Sequence, residues 1–222
     1  MTNYKKILNI ALPAMAENFL QMLMGVVDSY LVASLGLVAI SGVSVAGNII
    51  SIYQAIFIAL GVAVSSLISK SLGEGDRDNL AYHTSEAIKL TMLVSMFLGF
   101  LSLVFGRRIL AWLGTEPAVA NAGGLYLALI GGTILFLGLT TTLGSLIRAT
   151  SNPRLPMYIS FLSNLLNVLF SSLAIFIFHM GIVGVALGTI LARLVGVLIL
   201  WKELSLPLAS WSWKLDWELL RL

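Results

Sequence analysis

The sequence predicts an all-α integral membrane protein in which six helices cross the bilayer. Of its 222 residues, 59% are hydrophobic and only 10% are charged, and the mean hydropathy is +0.98. A water-soluble domain carries about 25% charged residues, so this chain has too few charges to cover a surface that faces water. The sequence also lacks the alternation of polar and apolar residues that marks a membrane β-barrel, which leaves helices as the spanning element.

Each of six hydrophobic stretches is long enough to cross a hydrocarbon core, which needs roughly 20 apolar residues. The six stretches lie at residues 8–34, 43–69, 81–105, 119–148, 156–178 and 182–202. Segments rich in Gly, Pro and polar residues separate them. We expect residues 73–78 to form a polar loop and residues 106–114 to form a short amphipathic connector that holds Trp112.

The two ends of the chain are interpreted from their composition. The N-terminus resembles a signal peptide, but its apolar run continues past Pro13 for too long, so we expect it to be the first span. The tail from Trp211 to Leu222 is amphipathic and rich in tryptophan, which is typical of a helix at the membrane surface. We therefore expect a six-helix transmembrane lobe over 1–204 and an amphipathic cytoplasmic linker over 205–222.

The distribution of basic residues predicts the orientation, because cytoplasmic segments carry an excess of Lys and Arg. If the N-terminus is cytoplasmic, the outside loops hold only Arg107 and Arg108. Ten basic residues then lie inside: Lys5, Lys6, Lys70, Arg77, Lys89, Arg148, Arg154, Lys202, Lys214 and Arg221. We expect a multi-pass protein of the cell membrane with both termini in the cytoplasm.

Several classes of function are not expected. The absence of cysteine excludes disulfides and thiolate metal sites, and no Lys/Arg run indicates nucleic-acid binding. No P-loop is present, and no set of residues suits intramembrane proteolysis, so we do not expect an enzyme. His83 and His179 are predicted on opposite sides of the membrane, which makes a shared metal site implausible.

Polar residues in the first span are the strongest functional signal. A carboxylate at the bilayer centre costs roughly 2.5–3.5 kcal/mol, yet Asp28 lies deep in this span, and Glu17 lies eleven residues earlier on the same helix face. Gln21 lies between them, and Pro13 permits the helix to bend. The alternative is that these side chains only bond to neighbouring helices. For Asp28 we favour a functional role.

The fifth and sixth spans carry further oxygen-bearing side chains. Asn164, Asn167 and Ser171 share one helix face, and Thr189 follows glycines that let another helix approach closely. Each could serve only as interhelical glue, but oxygens gathered around one carboxylate are suited to a hard cation or a proton. Arg193 is expected to snorkel to the cytoplasmic interface, and pairing with Glu17 is the alternative.

In order and spacing, these motifs resemble the multidrug-and-toxin-extrusion (MATE) transporters. Pro13, Gln21 and Asp28 resemble the family's first helix. The other matching segments are Ser69–Asp76 with its Gly-x-Gly-Asp, the loop Ile147–Pro156, Asn164–Ser171 on the fifth helix and Gly181–Thr189 on the sixth. The resemblance covers the whole chain, and the combination is more specific than any single motif.

The resemblance implies export of lipophilic organic cations in exchange for Na⁺ or H⁺, with no other cofactor, through twelve helices in two lobes. It implies an ion or proton site at Asp28, Asn167, Ser171 and Thr189, with Asp28 as the ligand of any Na⁺. Gln21, Asn164 and Glu17 would face the substrate cavity. Several members carry a second carboxylate where this chain has Ser171, so Asp28 would act alone.

The length fits one lobe of such a transporter. A second six-helix lobe is therefore the expected partner, either a C-terminal half of a longer chain or a second copy of this chain. Two other functions stay open. One is a lipid-linked oligosaccharide flippase of the same superfamily, which should hold phosphates with an arginine-rich cavity, and the other is a membrane scaffold subunit that does not transport.

Overall fold

The computed structural model describes residues 25–150 and 154–204, together with the single positions 12, 15, 19, 22, 23, 206 and 208. These residues form an all-helical protein. The helices are α1 (25–33), α2 (Leu37–Glu74), α3 (Arg77–Trp112), α4 (Pro117–Gly132), α5 (Leu135–Ala149), α6 (Arg154–Phe176) and α7 (Gly181–Glu203).

Five of the predicted spans correspond to helices in the described part of the chain. Helices α2, α3, α6 and α7 are each long and apolar enough to cross a membrane, and α4 and α5 together make a fifth candidate span. Most of the first predicted span, 8–34, lies outside the described residues, and α1 is its C-terminal part. The linker predicted over 205–222 is also outside them, apart from Leu206 and Leu208.

The fourth span is broken, where the sequence had suggested one continuous helix over 119–148. Helices α4 and α5 meet at Thr133 and Ile134 with a bend of 46°. The pair Gly131 and Gly132 weakens the helix just before the break. The hydroxyl of Thr133 also donates a hydrogen bond to the carbonyl of Leu129 at 2.8 Å, a side-chain bond that tends to bend helices.

Both polar connectors are shorter than predicted, because the helices continue into them. Between α2 and α3 only Gly75 and Asp76 are non-helical, and Gly75 has the left-handed φ of 70° typical of a helix C-cap. The expected connector 106–114 is instead the last turns of α3, which continues to Trp112. No residue before Gly114, with a φ of 78°, breaks that helix.

Lys89 lies within α3 and not in a cytoplasmic loop, which corrects its place in the charge count. Its ammonium is 2.6 Å from the carboxylate of Glu86, and both side chains are buried. A buried pair of this kind contributes little to the orientation of the chain. Nine basic residues then remain inside against two outside, so the predicted orientation is unchanged.

Close packing of α6 on α7 positions the residues of interest. A Cβ atom added at Gly188 would lie 2.6 Å from the backbone nitrogen of Ser171, so only glycine allows this approach. Near it, Asn167 of α6 and Thr189 of α7 come within hydrogen-bonding distance. The small residue of α7 therefore determines which polar groups of the two helices meet.

Candidate functional site

A cavity of about 220 Å³ lies between α1, α2, α5, α6 and α7. It brings together four of the predicted site residues, Asp28, Asn164, Asn167 and Thr189. They come from α1 and from the consecutive helices α6 and α7, which lie more than 120 residues further along the chain. The wall also holds polar side chains of α2, α5, α6 and α7, namely Gln54, Thr140, Ser160, Ser163 and Arg193.

The carboxylate of Asp28 is the acid of this cavity. Its Oδ1 atom is shielded from solvent and has no hydrogen-bond partner among the described residues. A buried acceptor without a partner costs free energy, and the cost is larger for a charged group. The binding of a proton or a cation at this oxygen would remove that cost.

The Asn167 amide is oriented by Thr189. Its Nδ2 donates to the Thr189 hydroxyl at 2.8 Å, and that hydroxyl donates in turn to the carbonyl of Val185 at 3.0 Å. The Asn167 Oδ1 is buried and has no hydrogen-bond partner within the described part of the chain. The amide therefore presents a free acceptor oxygen in the same cavity as Asp28.

Ser171 does not belong to the cavity wall in the described structure. It is fully buried between α6 and α7, where its hydroxyl lies 3.5 Å from the carbonyl of Val185. Of the four residues expected around an ion, the structure thus brings together Asp28, Asn167 and Thr189, and it places Ser171 in the helix interface. Asn164 lines the cavity, and its buried Nδ2 finds no hydrogen-bond partner in the ranges that the structure describes.

Three residues singled out in the first span cannot be compared with this geometry. Pro13, Glu17 and Gln21 lie outside the described residues. Their roles stay predictions.

Arg193 lines the cavity beside Asp28, which corrects the expectation that it snorkels to the interface. The two charges interact electrostatically, but they make no direct ion pair, since Lys89–Glu86 is the only one within the described ranges. Arg193 follows Thr189 by four residues, and such residues share a helix face. This spacing was the sequence signal that could have placed Arg193 in the site.

Tyr126 of α4 is a site residue that the sequence did not reveal. It is buried, and its hydroxyl contacts Thr189. Its phenol also interacts electrostatically with both Asp28 and Arg193. A tyrosine in an apolar span is usually part of the packed core, and nothing in its spacing distinguishes it from the other aromatic residues of this chain.

Comparison with known proteins gives a consistent family. The family profile described as MatE matches residues 13–173. "Probable multidrug resistance protein NorM" of Thermotoga maritima is 28% identical over 200 residues, which are 88% of this chain and 43% of that protein. "Multidrug export protein MepA" of Staphylococcus haemolyticus is 26% identical, over 86% of this chain and 42% of that protein. The chain thus spans less than half the length of these relatives.

The fold agrees with the sequence comparison. A MOP superfamily transporter from Pyrococcus furiosus superposes with a TM-score of 0.86 at 18% identity, over 97% of this chain and 49% of that one. A MATE structure in the straight conformation gives the same TM-score at 19% identity, again over 97% of this chain and 49% of that one. Because the profile matches most of the chain and the fold matches half of a transporter, this all-helical membrane protein belongs to the MATE family of transporters.

Proposed function

We propose that this chain is one lobe of a secondary active exporter that expels lipophilic organic cations in exchange for H⁺ or Na⁺. The observation that carries the proposal is the Oδ1 of Asp28, which has no hydrogen-bond partner among the described residues, in a cavity that Asn167 and Thr189 also line. The names of the relatives support it, since both describe multidrug resistance or export.

Neutralisation of Asp28 would be the step that couples ion entry to movement. An ionised carboxylate away from water favours a state in which it is hydrated or paired. Uptake of a proton or cation removes this preference and lets α1 repack against α6 and α7. The same uptake removes the negative charge that attracts a cationic substrate, so ion entry and substrate release are linked.

A second six-helix lobe is the proposed partner. The chain covers about half of the solved transporters that it resembles, and α6 and α1 leave apolar side chains exposed. This second lobe would be either a C-terminal half of a longer chain or a second copy of this chain in the same membrane. Both termini of the lobe described here are proposed to be cytoplasmic.

The test is Asp28→Asn in an assembly that contains both lobes. We expect ion-coupled efflux of an organic cation from cells to be abolished, because the amide cannot take up a proton, while insertion into the membrane is unchanged. Ser29→Ala is the matched control, since Ser29 is exposed on the same helix and, among the described residues, its hydroxyl bonds only to the carbonyl of Gly25. Undiminished drug resistance in the Asp28→Asn protein would refute the proposal.

Arg193 in the cavity wall keeps a lipid-linked oligosaccharide flippase as the second candidate. A guanidinium suits phosphate, but Arg193 is the only basic residue of the cavity wall within the described structure. Thermal stabilisation of the purified protein by polyprenyl phosphates, and not by organic cations, would favour the flippase. A scaffold subunit would instead leave cysteines introduced at positions 28 and 167 inaccessible to water-soluble reagents.

A further inference from the structure

Resting on the proposed ion-coupled export, we infer that Arg193 is the built-in counter-ion of Asp28 and makes this cavity select H⁺ over Na⁺. The inference names the coupling ion, which neither the family nor the relatives decide. It depends on the position of two opposite charges in one small cavity.

The first step is the charge of the cavity wall. In the described part of the wall the charged side chains are Asp28 from α1 and Arg193 from α7, whose formal charges sum to zero. The other polar groups of the described wall are neutral: Gln54 on α2, Thr140 on α5, Ser160, Ser163, Asn164 and Asn167 on α6, and Thr189 on α7. The phenol of Tyr126, which contacts Thr189 from α4, is neutral as well.

The second step is the arrangement of the two charges. Arg193 is not within ion-pair distance of Asp28, and Oδ1 of Asp28 accepts no hydrogen bond from the described residues. The guanidinium therefore compensates the carboxylate through space without covering its oxygen. A proton can add to that oxygen with no change in the rest of the wall.

The third step is what a metal cation would meet. An arginine stays charged in proteins, so Na⁺ bound to Asp28 would share a cavity of about 220 Å³ with a full positive charge. Like charges oppose each other more strongly inside a protein than in water. Without Arg193, the oxygens of Asp28 and Asn167 would be suitable ligands for Na⁺, which prefers such oxygen donors.

The consequence for transport is a change in the net charge of the cavity wall. With Asp28 ionised the described wall is neutral overall, and with Asp28 protonated it carries the charge of Arg193 alone. A cationic substrate is then repelled at the moment the proton binds. Arg193 thereby turns the neutralisation of Asp28 into an electrostatic release step.

The experiment is a Na⁺ titration of the purified full chain in detergent. Thermal stability is measured in NaCl and in choline chloride at equal ionic strength, at a pH where Asp28 is ionised. We expect no specific effect of Na⁺ on the wild type or on Arg193→Lys, which keeps the positive charge. Arg193→Gln should gain Na⁺-specific stabilisation, with an affinity about tenfold or more above that of the wild type.

Two further variants make the result specific. The double variant Asp28→Asn/Arg193→Gln should lose the gained Na⁺ effect, which would show that Na⁺ binds at Asp28. Arg193→Met is a second neutral variant in case the glutamine protein does not fold.

The inference is overturned if a folded neutral variant gains no response to Na⁺. It is also overturned if Na⁺ stabilises the wild type and Asp28→Asn removes that effect, an outcome readable even when no neutral variant folds. These measurements need no transport activity. The efflux test of Asp28→Asn could therefore refute the exporter proposal while the Na⁺ titration still supports this inference, and the reverse outcome is equally readable.

Discussion

Single side chains determine how the cavity presents its oxygens. The Asn167 amide uses its nitrogen on Thr189, and Thr189 uses its proton on Val185. As a result, the acceptor oxygen of Asn167 has no partner left in the described structure. The hydroxyl of Thr189 thus orients the Asn167 amide. Its removal should therefore lower the free energy of unfolding by leaving that amide without its partner.

Thr189→Val tests this orientation. The valine has nearly the shape of threonine but leaves Nδ2 of Asn167 unpaired in a buried place, so we expect a loss of about 1 kcal/mol in the free energy of unfolding. Thermal or denaturant unfolding in detergent measures it. Thr189→Ser keeps the hydroxyl and should stay closer to the wild type, and equal stability of the Val and Ser proteins would contradict the assigned bond.

At the level of helices, close approach through glycine fixes the site more than side-chain polarity does. Gly188 lets α7 lie against the backbone of Ser171 on α6, which places Asn167 and Thr189 together. A bend at Thr133 similarly turns α5 relative to α4. The lateral distance between two helices therefore decides which of their polar groups can meet.

Gly188→Ala should separate α6 from α7. The added Cβ would meet the Ser171 nitrogen at 2.6 Å, which backbone atoms cannot relieve, so we expect a loss of about 1–3 kcal/mol in unfolding free energy. Gly47→Ala is the control, because nothing lies within 4 Å of its Cβ position in α2. If both alanine proteins unfold at the same temperature, the predicted close contact is wrong.

The turn between α2 and α3 is stabilised by a helix cap that depends on pH. Asp76 accepts hydrogen bonds from the backbone nitrogens of Asn79 at 3.0 Å and Asp78 at 3.1 Å. The bond from the Asn79 nitrogen is the main cause that holds the pKa of Asp76 below its ordinary value. A lowered pKa in the folded state means that the ionised cap stabilises the fold at neutral pH.

We expect Asp76→Ala to lower the melting temperature slightly at neutral pH, and Asp76→Asn to retain more of it because asparagine also caps helices. The stabilisation is present above the ordinary carboxyl pKa of about 3.9 and is lost as the pH falls through the folded value. The difference between wild type and Asp76→Ala should therefore shrink on acidification. A difference that is constant with pH would contradict a charged cap.

For the whole molecule, the distribution of basic residues predicts the orientation in the membrane. The α2–α3 turn is expected in the cytoplasm and the α3–α4 turn outside, because Arg107 and Arg108, near the end of α3, are the only basic residues of the sequence expected on the outer side. Asp78 and Glu116 are exposed on the two respective turns. They offer one labelling position on each side.

Single cysteines at these positions test the orientation without background, because the chain has no native cysteine. We expect Glu116→Cys to react with a membrane-impermeant maleimide in intact cells. Asp78→Cys should react only after the cells are opened. Labelling of Asp78→Cys in intact cells would reverse the proposed topology and place the termini outside.

Some residues of the cavity wall were predictable from the sequence and others were not. Asp28 is recognisable because a carboxylate in an apolar run is costly, and Asn164 and Asn167 because they recur on one helix face. Arg193 was misplaced although it lies one turn from Thr189, since a long side chain can extend toward either end of its helix. Nothing in the sequence pattern marked Tyr126 as a site residue, because its place in the site depends on its contact with Thr189, 63 residues further along the chain.

Composition and the lengths of the apolar stretches were enough to predict a helical membrane protein and the positions of its spans along the chain. Lipid offers no hydrogen bonds, so apolar length and helical periodicity suffice to predict that much. The packing of the helices was needed to show which polar groups share a cavity. It places Arg193 in the cavity wall and Ser171 in the interface between α6 and α7. Periodicity fixes the face of a helix, but the rotation and separation of neighbouring helices follow from contacts between distant residues such as Gly188 and Ser171.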